Sequence, residues 1–219
     1  RLLESLGHKV EQASPKMDML AMSMDWLSMW FANCAASVDW VREETGCGND
    51  GFELDTLAMA AFGHATSAPD YVRGYQRWQG YSRALAEFHQ QYDLWLTPTL
   101  ALQPARIGAS ETPAWQQRML KVILKVGAEK LVMKTGLVEQ MVKENLKYVP
   151  FTQLANVTGV PAMSVPLHWT DPTETAPQGL PLGMMFGGRC GSEELLYSLA
   201  GQLERADPWV DRFPPVWVG

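Results

Sequence analysis

An α/β fold, with helices covering a sheet, is what this sequence predicts, and three observations carry the prediction. The run YDLWLTPTL, residues 92–100, is short, apolar and bounded by polar residues and proline, as expected of a strand buried in a sheet. Residues 162–169 and 182–188 repeat that character across a polar, Pro- and Gly-containing loop. Long stretches with apolar residues at helical spacing come before and after them, the alternation expected of layered α/β architecture.

The 219 residues carry a formal net charge of -6, with 47% hydrophobic and 19% charged residues, which is a globular composition long enough for a substantial core. The acidic balance and the lack of a dense Lys/Arg patch argue against nucleic acid, whose phosphates need a basic footprint. Cys34, Cys47 and Cys190 are odd in number and form no C-x-x-C pair, and the four histidines are scattered. Neither a disulfide framework nor a zinc site is indicated, and no cofactor is expected. The most hydrophobic region, Met17 to Val38, is interrupted by Asp25 and falls short of a bilayer-spanning run of roughly 20 apolar residues. The expected setting is therefore the cytoplasm, with no membrane partner.

The elements follow in order. RLLESLG reads as the last turn of a helix stopped by Gly7, and His8 to Ala13 reads as a strand ending at Pro15. Opening in mid-helix, the chain reads as a piece of something longer. Lys16 to Arg42 is a long helix whose Met and Trp residues cover nearly its whole circumference, so it should be buried on most sides. Different faces can serve as core and as the wall of an apolar pocket, since Met adapts to varied neighbours. Gly46 to Gly51 is a turn that lacks the spacing of a phosphate loop, and Glu53 to Phe62 is a second helix. Asp70 to Gln91 is a third, with Tyr71, Tyr75, Trp78 and Tyr81 spaced to dock on a neighbour.

After a loop at Gln103 to Pro113, helices are predicted over Ala114 to Val126 and Ala128 to Leu146, with Lys121, Lys125, Lys130, Lys134, Lys143 and Lys147 on a solvated surface. Phe151 to Val157 suits one or two helical turns closed by Gly159, before the strands Ala162 to Trp169 and Leu182 to Gly188. Ser192 is placed to cap a final helix whose Glu193 and Glu194 suit the positive end of its dipole. A Pro- and Trp-rich tail, Pro208 to Gly219, should wrap the surface.

FTQLANVTGVPAMSVP, then GLPLGMMFGGRCGSEELLYSLAGQLE, preceded by RLLESLGHKV and YDLWLTPTL, resembles in order the C-terminal half of the amidase signature family of amidohydrolases. Nearly the whole chain is covered, and the Met-rich helix with FTQLANVTG is most similar to the branch containing aminohexanoate cyclic dimer (nylon oligomer) hydrolase. The resemblance implies an α/β/α sandwich around a mixed sheet, residues 1–219 being the C-terminal portion of one amidase domain. It implies hydrolysis of non-peptide carboxamide bonds by a serine nucleophile, a second serine in a cis peptide, and a lysine. In the family those groups lie in a Gly/Ser-rich segment and an upstream lysine of the N-terminal half. No such segment occurs here.

Ser164 falls within a predicted strand, Ser192 within a helix cap, and no G-x-S-x-G elbow exists, so no catalytic residue is assigned and the chain alone is expected to be inactive. What the resemblance implies instead is scaffold and pocket wall, with Cys34, Met185 and Phe186 as substrate-contacting candidates. Leu154 stands where many relatives have proline. Met185 stands where many have glutamine, which suggests a drier pocket. The expected partners are the N-terminal amidase half, in the same or a separate chain, a small-molecule amide, and a second copy in a homodimer. The alternative is a stand-alone, non-catalytic binding module derived from an amidase.

Overall fold

Three antiparallel strands in the order β1–β3–β2 make the sheet, with β1 at Leu94–Pro98, β2 at Ala162–Trp169 and β3 at Pro181–Gly188. This is the arrangement in the computed structural model, which describes residues 1–109, 111–133, 136, 146–173 and 176–213. Among the described residues the strand pairing is antiparallel throughout, so this chain supplies an antiparallel section of sheet. Register fixes which residues share a face: Thr97, Met185 and Ser164 stand in one row, and Leu96, Phe186 and Met163 in the next, on the opposite face.

Helices cover both faces. On one side Met185 and Trp95 pack with Met22, Tyr81, Leu85, Leu154 and Val157, which come from α2 (Met19–Thr45), α4 (Ala68–Phe88) and α7 (Gln153–Thr158). On the other, Phe186 and Val165 pack with Leu196, Leu199 and Leu203 of α8 (Glu193–Ala206), joined by Leu2, Leu3 and Leu6 in and beside α1 (Leu2–Ser5). Leu203 and Met22 are fully buried, so each layer has its own anchor. Helix, sheet, helix is the predicted sandwich.

Local chemistry explains the boundaries. The Asp18 carboxylate accepts from the Ala21 amide at 2.9 Å to start α2. Gly46, at φ 69°, ends it in the left-handed conformation that a side chain would resist. Ser67 accepts from the Asp70 amide at 3.2 Å and begins α4. A further layer is built where α3 (Leu54–Ala65) lies against α2, with Leu27, Phe31 and Phe62 in one cluster and Ala35, Val38 and Ala60 in another. Outside it comes α5 (Ala114–Val126), followed by α6 (Glu129–Met133).

Four expectations need correcting or bounding. His8 to Ala13 is not a strand: the segment is exposed, and among the described residues it pairs with none of β1, β2 and β3. Ser192 occupies the N-cap position of α8, yet its hydroxyl donates to the Arg189 carbonyl at 2.6 Å and caps no helical amide. The Met-rich helix is not apolar-buried all round, since Met19, Leu20, Trp30 and Trp40 face outward. Of the helix expected over 128–146, α6 accounts for Glu129–Met133; residues 134–135 and 137–145, with Lys134 and Lys143, lie outside the described residues, as do 214–219 of the tail.

Candidate functional site

α2 carries most of the polar chemistry next to the sheet. Asp25, only 6% exposed in the apolar first half of α2, accepts two hydrogen bonds from Arg77 and one from the Tyr81 hydroxyl at 2.7 Å. Burial, then the hydrogen bond to Asp25, pushes the Tyr81 hydroxyl up to about 12. The same hydrogen-bonded carboxylate raises the Arg77 guanidinium above its ordinary value. This cluster clamps α2 to α4. The sequence signal was a lone carboxylate among apolar neighbours, which must find a partner if it is to be buried.

Two residues towards the helix start, the Ser23 hydroxyl donates to Gln153 Oε1 at 2.6 Å, tying α2 to α7. Gln153 is 3% exposed, and its Nε2 has no partner among the described residues. On the sheet, the Thr99 and Ser164 hydroxyls meet at 2.6 Å across Gly183, where an added Cβ would collide with both. Gly183 is therefore needed for Thr99, just past β1, and Ser164 of β2 to touch over β3. The hydroxyl partner of Ser164 is another hydroxyl; among the described residues no hydrogen bond connects it to a histidine, lysine or carboxylate that could take its proton.

The three predicted substrate contacts are not brought together. Cys34 lies on α2 where it meets α3, and its thiol is 3.8 Å from the Thr56 carbonyl; burial raises its pKa, keeping it a thiol. Met185, 5% exposed, faces the α2–α4–α7 layer, whereas Phe186, 2% exposed, faces α8. Adjacent residues of a strand point to opposite faces, so the pair cannot form one wall. Phe186 alone of the three lines the large cleft, about 600 Å³, which opens between the extended segment 8–15, β1 and α8 with Tyr92, Trp95, Phe151 and Leu154 around it.

Among the described residues there is no group of three or more His, Cys, Asp or Glu side chains placed to hold a metal ion, and no helix is long and apolar enough to cross a membrane. What the arrangement offers chemically is an apolar, hydroxyl-dotted support. It holds no assembled nucleophile and base among the described residues.

The Amidase family model matches residues 1–197. Among curated relatives, the putative amidase AmiC of Mycobacterium leprae (strain TN) is 32% identical over 210 residues, an alignment that takes in 95% of this chain and 39% of the relative. A lipoamidase of Enterococcus faecalis is 28% identical over 152 residues, 69% of this chain and 20% of the relative. Among solved structures, 6-aminohexanoate cyclic dimer hydrolase complexed with substrate superposes at a TM-score of 0.74 with 24% identity, over 98% of this chain and 41% of that one. A bacterial aryl acylamidase of the amidase signature family superposes at 0.64 with 19% identity, over 95% and 38%. This chain thus spans well under half the length of these relatives. With residues 1–197 matched, and the three-layer arrangement shared with both solved structures, the chain belongs to the amidase family.

Proposed function

We propose that this chain is the C-terminal portion of an amidase that hydrolyses non-peptide carboxamide bonds by a Ser–cis-Ser–Lys mechanism, supplying sheet scaffold and part of the substrate pocket. One observation carries the reading: the family match takes in nearly all of this chain but 39% of the first curated relative. In agreement with it, the Ser164 hydroxyl has, among the described residues, the Thr99 hydroxyl alone for a side-chain partner.

In this reading the N-terminal half brings the reacting groups. A lysine kept neutral by its surroundings accepts, through the bridging serine, the proton of the nucleophilic serine. Backbone N–H groups hold the oxyanion. The residues of this chain act on position and dryness. Asp25, Arg77 and Tyr81 fix α2 against α4, Ser23 and Gln153 fix it against α7, and the Met185 side chain packs in one apolar cluster with Met22 of α2. Cys34 on α2 and Phe186 in the cleft are the candidate contacts to a bound amide, in a cytoplasmic enzyme.

The test is reconstitution. Joined to its N-terminal half, the chain should hydrolyse simple carboxamides, with no loss on addition of a chelator, and alanine at the nucleophilic serine of that half should abolish turnover. Full activity after that alanine substitution would sink the mechanism.

A further inference from the structure

The large cleft lies along one edge of the sheet. β1 pairs with β3 alone, so among the described residues its other edge is free. Across the gap runs the extended segment 8–15, and residues 9–14 of it make no hydrogen bond to another backbone group among the described residues. Segment and strand are held facing each other: the Tyr92 hydroxyl, two residues before β1, donates to the Glu11 carboxylate, which also pairs with Lys9. Between them is a space of about 600 Å³.

Its walls describe what fits. Phe151 and Leu154 line it from the α2–α4–α7 layer, and Leu195 and Leu199 of α8 line it from the opposite face of the sheet. The space therefore continues the plane of the sheet between two apolar layers. Val10, Leu96 and Leu195 on its lining are exposed, a grouped apolar surface of the kind that marks an interaction site. The Thr97 hydroxyl, also on the lining, is buried with no hydrogen-bond partner among the described residues. The far edge of the sheet is built differently. β2 carries Pro166 in its middle and a register irregularity between Pro166 and His168, features that blunt an edge, whereas β1 has no proline before its last residue, Pro98.

Resting on the amidase reading above, we propose that this cleft takes a β-strand of the N-terminal half, paired with β1 on one side and with residues 9–13 on the other, so that the sheet continues from β1. The first curated relative has the length to supply it, since this chain aligns with 39% of that protein. Enclosed by helices on both faces, the strand is a continuous apolar run of about five residues and not an alternating one. A small molecule could fill the volume, yet it would leave two rows of backbone N–H and C=O groups unpaired. A second copy of β1 would meet segment 8–15, which stands in front of the edge.

The experiment is residue-resolved hydrogen exchange on the complete amidase, this chain joined to its N-terminal half, at a dilution where it is monomeric. Amides of residues 9–13 should exchange on the order of 1,000-fold or more slowly than in an unstructured peptide, together with those of β1. With p-benzoylphenylalanine in place of Val10, irradiation should cross-link position 10, within one polypeptide, to an uncharged run of the N-terminal half. Unprotected exchange over residues 9–13 would overturn the proposal in the parent protein, whatever the substitution does to folding. Protection that vanishes on dilution, or a cross-link between two copies, would assign the edge to a second copy and overturn it too. The two claims separate. Protected flanks in a protein that hydrolyses no carboxamide refute the amidase reading, and hydrolysis with unprotected residues 9–13 refutes the strand.

Discussion

Arg77 grips Asp25 across the α2–α4 contact through two charge-assisted hydrogen bonds, Nε to Oδ2 at 2.8 Å and Nη2 to Oδ1 at 2.5 Å. The carboxylate is buried while the arginine side chain is 54% exposed, so the two partners are not equivalent. Removing Arg77 strands a buried charge on one remaining donor, Tyr81. Arg77→Met should destabilise the protein by about 2 kcal/mol, less than for a fully buried pair because water reaches the site. Urea denaturation of Arg77→Met, Asp25→Asn and the double variant checks this: the double variant should lose less than the sum of the singles.

Tyr81 gives the cluster a pH signature. Its folded pKa, pushed up to about 12 by burial and by the hydrogen bond to Asp25, lies above the ordinary 10.0. A raised pKa means the contribution is complete below pH 10 and is lost as pH rises towards 12, when the unfolded chain ionises first. The stability difference between the parent and Tyr81→Phe should therefore be flat up to about pH 10 and then shrink. A difference that grows over that range would show the opposite linkage.

Two glycines in helices should respond with opposite signs. Gly63 lets α3 approach α2 so closely that an added Cβ would strike the Phe31 carbonyl and come within 2.8 Å of the Ala35 Cβ. Gly63→Ala should cost about 2 kcal/mol through overpacking of backbone that cannot step aside. Gly80, inside α4, has nothing within 4 Å of an added Cβ. Gly80→Ala should stabilise by about 0.5–1 kcal/mol through helix propensity. Thermal or urea melts of the two variants side by side read both effects.

Cys34 is partly buried where α2 meets α3, packed against Ala35, Val38 and Ala60, and burial keeps its thiol neutral. In the complete enzyme, Cys34→Leu should raise KM several-fold while leaving kcat within about twofold, because it alters binding remote from the reacting groups. Unchanged kinetics would remove this residue from the pocket wall.

Much of the fold was legible in the sequence. The strand Ala162–Trp169 and the helix Ala114–Val126 fall where alternation and turn residues put them, and glycines in left-handed conformation at 46 and 159 end their helices as expected. His8 to Ala13 reads as a strand because local pattern reports β-propensity, while a strand exists only where a neighbour completes its hydrogen bonds. The site was less legible. Asp25 is separated from Arg77 by 52 positions and Gln153 from Ser23 by 130, and side-chain spacing along the chain cannot announce pairings made by tertiary packing. Met185 and Phe186 were read as one wall, although strand alternation sends them to opposite layers.

Carboxamide hydrolysis by this chain alone, and by the chain joined to an N-terminal amidase half at equal concentration, tests the proposal that the reacting groups lie in another segment. No turnover above background is expected for the chain alone and robust turnover for the joined protein. Turnover by the isolated chain equal to that of the joined protein, or a well-folded joined protein with no activity on any carboxamide, would contradict it.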